Sequence, residues 1–267
     1  MSTKTSTRVE TLSSVKAPVR FPLWAQLTTA FVAVLALWEV SARAGLISVK
    51  LFSSPIRIFN TFVVLNNQGK IWENVQVTLY ELLVATVIFT AVGIVLGIVF
   101  GITATAFEVS YGPMVTLFSF PKVTILPILI MATGLGSTSK VIMGAITGFF
   151  PLVIGMMVAV RGIRSLHLEL FSAVGAGFMF KLFRLYIPAT LPALVSSLRI
   201  GFVYAGIGVL LAEMFAATSG LGIRIIGAGA QSNLDQFWVY VICTFLILLT
   251  GAAVLRLIEM RLQKWAE

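Results

Sequence analysis

Few side chains in this sequence could carry out chemistry on their own. The one histidine, His167, and the one cysteine, Cys243, have no partners at a spacing that would bind a metal or activate a nucleophile. The sequence also lacks the Gly-x-x-x-x-Gly-Lys-Ser/Thr motif whose backbone cradles nucleotide phosphates. The chain is therefore not expected to be an enzyme, to bind a metal or to hold a cofactor of its own.

Charged residues and prolines inside apolar runs are candidates for a solute pathway or gate. Arg199 and Glu213 lie in or near the ends of one such run, where a charge at mid-membrane costs at least about 2.5 kcal/mol. Arg199 either reaches the inner interface or lines a pathway, and Glu213 either pairs with a basic group near an outer gate or contacts solute. Pro121 and Pro127 flank Lys122, and the carbonyl groups that prolines free need partners in protein or in a watery cavity. This segment is either pathway-facing or a structural kink.

The segment from about 161 to 191 has a pattern unlike that of a passive connector. Residues 169–176 end in a glycine break, and an amphipathic stretch from Phe178 to Tyr186 follows. Two short helices separated by Gly175 would leave apolar side chains exposed to the cytoplasm. Because exposed apolar patches usually mark a protein partner, the segment is predicted to dock a soluble protein.

The composition indicates that these residues are carried by helices in a lipid bilayer. Of 267 residues, 58% are hydrophobic and 11% are charged, with a mean hydropathy of +1.01. A soluble domain needs about 25% charged residues to cover its surface. The net charge of +9 comes from basic residues that lie mostly between apolar runs, as membrane topology requires. A lipid environment is therefore expected, and a nucleic-acid partner is not.

Six apolar stretches are long enough to cross a bilayer, which takes about 20 residues of helix. They lie at about 22–41, 77–104, 113–135, 139–160, 191–215 and 237–258. The fold class is therefore all-α, a polytopic membrane protein. Residues 1–21 are predicted to be a cytoplasmic tail and residues 22–267 one transmembrane domain. The distribution of basic residues favours cytoplasmic termini, and it assigns Lys140 to an external segment.

Two further features concern packing. Gly93, Gly97 and Gly101 recur every four residues, so they share one helical face on which another backbone can approach closely. The connection between the first two spans contains a Ser-Ser-Pro turn followed by apolar residues at helical spacing. It is expected to form an amphipathic helix at the outer interface or against the bundle.

The 161–191 segment resembles the EAA motif of ABC-importer permeases of the binding-protein-dependent type. Glu169 opens the motif, Gly175 lies six residues later, and Leu185-Tyr186-Ile187-Pro188 follows after nine more. Leu170 and Phe171 stand where the motif has two alanines. Over roughly residues 50–265 the chain is similar to the nitrate/sulfonate/taurine-type permeases, with matching runs at Ala212-Glu213 and Gly220-Leu221-Gly222.

The resemblance implies a type I ABC-importer permease fold in the bacterial inner membrane. It implies two permease copies, expected to be identical, and a cytoplasmic ATPase dimer that holds ATP and Mg. A solute-binding protein would deliver a small solute, expected to be an organic or inorganic anion such as sulfonate, taurine or nitrate. The alternative is a secondary transporter or channel, although the spans hold too few buried acids for a clear case.

The same resemblance implies which residues couple the chain to the ATPase. Glu169 is expected to orient the loop through a salt bridge or cap, and Gly175 is expected to permit the sharp turn. The full set of coupling candidates is Glu169, Ser172, Ala173, Gly175, Ala176, Phe180, Phe183 and Pro188.

Overall fold

The computed structural model describes residues 22–48 and 52–266. The predicted tail, residues 1–21, lies outside the described residues. The helices are α1 Leu23–Arg43, α2 Pro55–Asn67, α3 Lys70–Ile102, α4 Ala104–Ser119, α5 Leu126–Thr133, α6 Ser137–Arg161, α7 Ser165–Ala173, α8 Phe178–Lys181, α9 Ile187–Ala216, α10 Leu221–Ala230 and α11 Leu234–Ala266. A 3-10 turn, Lys122–Ile125, precedes α5, and a π turn, Leu182–Tyr186, joins α8 to α9.

The prediction of about six spans is confirmed. Five helical segments are long and apolar enough to cross a membrane: α1, α3, α6, the continuous run from α8 through α9, and α11. A bent pair, in which α4 and the segment Lys122–Thr133 meet at 79°, makes six if the pair is counted as one span. Within the described ranges all regular secondary structure is helical, as the all-α assignment predicts.

The third predicted span, 113–135, differs from a single straight helix. The helical segment begins earlier, at Ala104, and breaks at Phe120, whose backbone is extended. The following residue, Pro121, has no N–H and disfavours helical geometry in the residue before it. Pro113, by contrast, lies inside α4 without ending it.

Helix α6 lies at the centre of the bundle and packs most extensively against α9 and α3. Gly93, Gly97 and Gly101 of α3 all face α6. A Cβ atom on Gly93 would lie 2.7 Å from Leu152 Cδ2, and one on Gly101 would lie 2.9 Å from the Met157 carbonyl oxygen. The two backbones are therefore as close as the glycines allow.

The α6–α9 contact is tighter still. A Cβ atom on Gly148 would lie 2.7 Å from the Gly201 carbonyl oxygen, and one on Gly201 would lie 2.8 Å from that of Gly148. Phe89 of α3 packs against the same point, and it is 1% exposed. Three helices therefore meet with almost no side chain between α6 and α9.

The first and last spans meet at the edge of the bundle. Helix α1 is largely exposed, and the ring of Trp38 contacts that of Trp238 in α11 edge-on, with centroids 6.0 Å apart. The predicted amphipathic helix is α2, which begins at Pro55, packs against α11 and buries Ile58. An apolar cavity of about 330 Å³ lies among α1, α2 and α11, with Cys243 in its wall.

Candidate functional site

The 161–191 segment folds into two short helices that turn back on each other. Helix α7 ends in a left-handed glycine, Gly175, with φ +67°. The Gly175 N–H donates to the Ser172 carbonyl and the Ala176 N–H donates to that of Phe171, each at 3.0 Å. This is the Schellman arrangement, and glycine reaches its backbone angle at no steric cost.

A side-chain contact ties the two arms of this loop together. Lys181 Nζ of α8 donates to Ser172 Oγ of α7 at 2.9 Å, and the Ser172 hydroxyl donates to the Leu168 carbonyl at 2.7 Å. The rings of Phe171 and Phe180 lie 6.0 Å apart across the same gap. These contacts hold α7 and α8 at a defined angle, so the loop forms one structural unit.

The Glu169 side chain is exposed, and in the described part of the chain it forms no salt bridge or side-chain hydrogen bond. Its orienting role stays a prediction. Within this chain, the contact that ties the two arms together is made by Lys181 and Ser172. Sequence reasoning named Ser172 but not its partner, because Lys181 comes close to Ser172 only after the chain reverses.

The loop presents a set of apolar side chains to its surroundings. Val174 at the tip is 78% exposed, and Phe180 and Phe183 are 55% and 63% exposed. Leu170, Phe178 and Met179 extend the same surface. Of the predicted coupling residues, Ala176 is half-buried and the others are exposed: Glu169, Ser172, Ala173, Gly175, Phe180, Phe183 and Pro188. Seven of the eight predicted coupling residues are therefore accessible at the surface.

The base of the loop is anchored in the core of the bundle. Leu185 and Tyr186 of the π turn are each 7% exposed, and Tyr186 belongs to the main hydrophobic cluster. The Tyr186 carbonyl accepts a hydrogen bond from Thr190 Oγ1 at 2.8 Å. Helix α8, the π turn and α9 form one continuous helical run, so the loop and α9 are parts of one element.

Lys122 lies at the bend between α4 and the 3-10 turn. Its ammonium group donates to the Phe118 carbonyl at 2.6 Å and to the Phe120 carbonyl at 3.4 Å. It also lies over the rings of Phe118 and Phe150, at 4.9 and 5.1 Å from their centroids. Lys122 thus caps the carbonyl groups left free where Pro121 ends the helix. Pro127 lies in the first turn of α5, where the missing N–H costs no hydrogen bond.

Glu213, near the far end of α9, is fully buried in a polar network. Its Oε1 accepts from Thr78 Oγ1 and its Oε2 accepts from the Gly222 N–H, each at 2.6 Å. Thr78 Oγ1 in turn accepts from the Leu221 N–H at 2.9 Å. Among the described residues, the direct hydrogen-bond donors to Glu213 are therefore one hydroxyl and one backbone N–H. These bonds fasten the α9–α10 connection onto α3.

Asn74, one turn before Thr78 on α3, extends the same fastening. Its side-chain oxygen accepts from the Gly220 N–H and from Arg224 Nε, both at 3.1 Å. Gly220 has φ +110°, and a Cβ atom there would collide with the Glu213 carboxyl group. The glycine is therefore needed both for its backbone angle and for the room it leaves.

Two further charged groups complete this network, and sequence reasoning missed both. Glu81 of α3 is 1% exposed and lies beside Glu213, while Lys140 of α6 is 2% exposed and lies near both carboxyl groups. Lys140 Nζ donates to the Gly136 carbonyl at 2.8 Å and to that of Leu135. Lys140 therefore lies inside a helix of the bundle and not in a connecting segment, and the spans hold more buried acid than expected. The sequence does contain a signal for Glu81, because it is the one charged residue in the apolar stretch 77–104.

Arg199 forms a second interhelical contact. Its Nε lies 3.1 Å from Glu259 Oε2 of α11, and the two side chains are 34% and 12% exposed. At the other end of α11, Arg57 of α2 pairs with Asp235 at 2.7 Å. The hydrogen bond to Asp235 and its negative charge raise the pKa of the Arg57 guanidinium. These pairs fix α11 to its neighbours.

The fold and the loop together define a class of protein. A polytopic helical bundle carries a loop with exposed apolar side chains, and the helix that follows this loop reaches a buried polar network. Within residues 22–48 and 52–266, no group of three His, Cys, Asp or Glu residues could hold a metal ion. The class is that of polytopic helical membrane proteins.

The chain belongs to the family described as the binding-protein-dependent transport system inner membrane component, whose model matches residues 90–264. It is therefore a permease subunit of an ABC transporter, a non-catalytic inner-membrane protein. Its family implies that it works with an ATPase and a solute-binding protein.

Three relatives illustrate the range of the family. The chain is 24% identical to the putative aliphatic sulfonates transport permease protein SsuC of Bacillus subtilis, over 87% of this chain and 84% of that protein. It is 25% identical to the taurine transport system permease protein TauC of Escherichia coli, over 96% of each. It is 26% identical to the formylaminopyrimidine transport permease protein ThiX of Halalkalibacterium halodurans, over 89% of this chain and 94% of that protein.

Proposed function

We propose that this chain lines the translocation pathway of an importer of small anions and receives the force for transport through the loop of residues 161–191. The observation that carries the proposal is the exposed apolar face of a rigid loop that continues directly into α9. Burying such a face against a partner removes apolar surface from water, which stabilises the complex.

The route of force is a chain of packed elements. An ATPase that closes on ATP pushes on the apolar face, which includes Phe180 and Phe183. The Lys181–Ser172 contact keeps the two arms of the loop from folding independently. The π turn passes the motion to α9, and the close glycine contact passes it to α6. Alternating access then follows from movement of α9 and α6 relative to a second copy.

The assembly we propose has two identical permease chains with both termini in the cytoplasm. Two ATPases, which hold ATP and Mg, dock on the two loops, and no cofactor is bound by this chain. A solute-binding protein docks on the opposite face. The alternative of a secondary transporter or channel is set aside, because a member of this family is driven by its ATPase.

For the solute, we propose a sulfonate such as taurine, with nitrate as a smaller anion of the same class. Support comes from SsuC and TauC, whose names specify aliphatic sulfonates and taurine. The name of ThiX specifies formylaminopyrimidine, which makes a pyrimidine the competing choice. Growth of an import-deficient host on taurine, supported by this permease with its ATPase and binding protein, tests the solute. Growth on a pyrimidine precursor alone would replace the anion with the heterocycle.

The coupling role is tested by a matched pair of substitutions. Phe180→Ser removes an apolar side chain from the docking face, and Phe52→Ser makes the same change at a site far along the chain. The two rings are equally exposed, at 55%. We expect Phe180→Ser to reduce co-purification of the ATPase and solute-stimulated ATP hydrolysis at least about tenfold, the loss of about 1.4 kcal/mol of binding. Phe52→Ser should retain the ATPase. Equal retention by both variants would contradict the docking role.

A further inference from the structure

We propose that Glu81 and Glu213 form a buried proton-binding site, in which one proton is carried by Glu81 and shared with Glu213. The site lies at the end of α9 away from the docking loop and joins α3, α6 and α9. It does not depend on which solute is transported.

The first observation is an oxygen atom without a donor. Glu81 Oε2 is buried and receives no hydrogen bond from the described residues. The Glu81 side chain as a whole is 1% exposed, so water in the surroundings does not supply the missing bond. An ionised carboxylate only accepts hydrogen bonds, and a buried one without a donor carries a large desolvation cost. A protonated Glu81 has no such deficit, because its O–H is itself a donor.

The second observation is the contact between the two acids. The carboxyl groups of Glu81 and Glu213 lie close to each other in the bundle. Two ionised carboxylates at that range repel each other. One proton in the pair replaces the repulsion with a hydrogen bond, because a protonated carboxyl group is a donor.

The third observation is the balance of charge. Lys140 from α6 is the cation that faces both acids, and the Ser137 hydroxyl contacts Glu81 from the start of the same helix. From α10, Arg224 reaches Asn74 rather than either carboxyl group. Two ionised acids beside one ammonium would leave a net negative charge in the bundle, which is costly away from water. One shared proton makes the cluster neutral.

The hydrogen bonds also decide which acid carries the proton. Both oxygens of Glu213 already accept strong bonds, from Thr78 and from the Gly222 N–H. Those donors stabilise a negative charge on Glu213. Glu81, with its undonated oxygen, is the member that holds the proton and donates it to Glu213.

This arrangement makes the fastening of the α9–α10 connection dependent on pH. While the proton is bound, Glu213 is tied to α3 through both Thr78 and Glu81. When the proton is lost, two like charges face each other and the bond between α3 and α9 is replaced by repulsion. While the proton is bound, the native protein holds one proton more than the unfolded chain. The unfolding equilibrium constant therefore rises by up to about tenfold per pH unit in the range where that proton is held by the native protein alone.

Infrared spectroscopy of the purified full-length protein in lipid tests the proton directly. We expect a C=O stretching band of a protonated carboxyl group at neutral pH, which shifts in heavy water. Glu81→Gln and Glu213→Gln should each abolish it, because the one remaining acid is ionised beside Lys140. Glu259→Gln is the control, since that acid pairs with Arg199, and it should leave the band unchanged. A wild-type protein without the band, or a band that survives Glu81→Gln, would overturn the proposal.

The stability of the same variants tests which acid carries the proton. The amide introduced by Glu81→Gln can donate to Glu213 as the protonated acid does, so this variant should fold and should lose the alkaline drop in melting temperature. The amide introduced by Glu213→Gln would bring a donor against the Thr78 hydroxyl or the Gly222 N–H, so that variant should be destabilised at every pH. If Glu81→Gln fails to fold, or if it keeps the wild-type pH dependence, the assignment of the proton to Glu81 is wrong.

Discussion

The Thr78 hydroxyl links α3 to Glu213 of α9 and to the start of α10. Removing this one group should therefore lower the free energy of unfolding by more than its small size suggests. The hydroxyl donates to Glu213 Oε1 at 2.6 Å and accepts from the Leu221 N–H at 2.9 Å. Thr78→Val keeps the side-chain shape and removes both bonds. The residue is 4% exposed, so water does not replace the lost partners.

The magnitude follows from the two groups left behind. A hydrogen bond to a charged group contributes about 1.5–3 kcal/mol, and a buried N–H without an acceptor costs about 1–3 kcal/mol. The two losses share one network and do not simply add. We expect Thr78→Val to lower the free energy of unfolding by about 3 kcal/mol.

The same substitution elsewhere on α3 is the control. Thr90 Oγ1 is buried and has no hydrogen-bond partner among the described residues. Thr90→Val removes an unsatisfied hydroxyl, so it should be neutral or should stabilise the protein by up to about 1 kcal/mol. Denaturant titration in mixed micelles, followed by tryptophan fluorescence, measures both variants. Equal stability of the two variants would refute the account of the network.

Three further substitutions test the close contact between α6 and α9, the loop of residues 161–191, and the bend after α4. Gly148→Ala should destabilise the bundle by about 1–3 kcal/mol because α6 and α9 must separate, whereas Gly112→Ala, with open space around it, should be neutral or stabilising in the same titration. Gly175→Ala forces a left-handed alanine at a cost of about 1–2 kcal/mol and should lower solute-stimulated ATP hydrolysis more than Gly177→Ala, where φ is −68°. Lys122→Met uncovers the carbonyls at the bend and should destabilise by about 1–3 kcal/mol in thermal unfolding, and normal stability would show that water caps them.

The spans and the loop could be predicted because each is determined locally. Helix length and hydropathy are properties of one segment, and they identify the five long apolar helices and the bent pair. The turn at Gly175 is also local, since the glycine and its hydrogen-bond partners lie within a few residues. The pre-proline position at Phe120 ends a helix for the same reason, although the size of the bend does not follow from sequence.

The polar network could not be predicted in the same way. Glu81, Lys140 and Glu213 come from three different helices and are far apart in the chain. Glu81 points toward α9 only when α3 has the right rotation about its axis. That rotation is set by the packing of Gly93, Gly97 and Gly101 against α6. The partner of Arg199 was missed for the same reason, because Glu259 lies on a helix whose register against α9 is fixed only by packing. Lys122 combines the two cases. The carbonyl groups that it caps lie within four residues, but the bend that leaves them free depends on the packing of the bundle.

The meeting of the first and last spans has a consequence for biosynthesis. Trp38 leaves the ribosome early, but its partner Trp238 and the Asp235 that pairs with Arg57 are among the last segments to be made. Synthesis proceeds from the N-terminal end, so α1 and α2 are made well before α11, the helix against which they pack. A chain that stops before α11 keeps an unpaired arginine beside an open apolar groove. An unfinished chain would therefore differ from a finished one in exposing both the Arg57 guanidinium and the apolar wall of that groove.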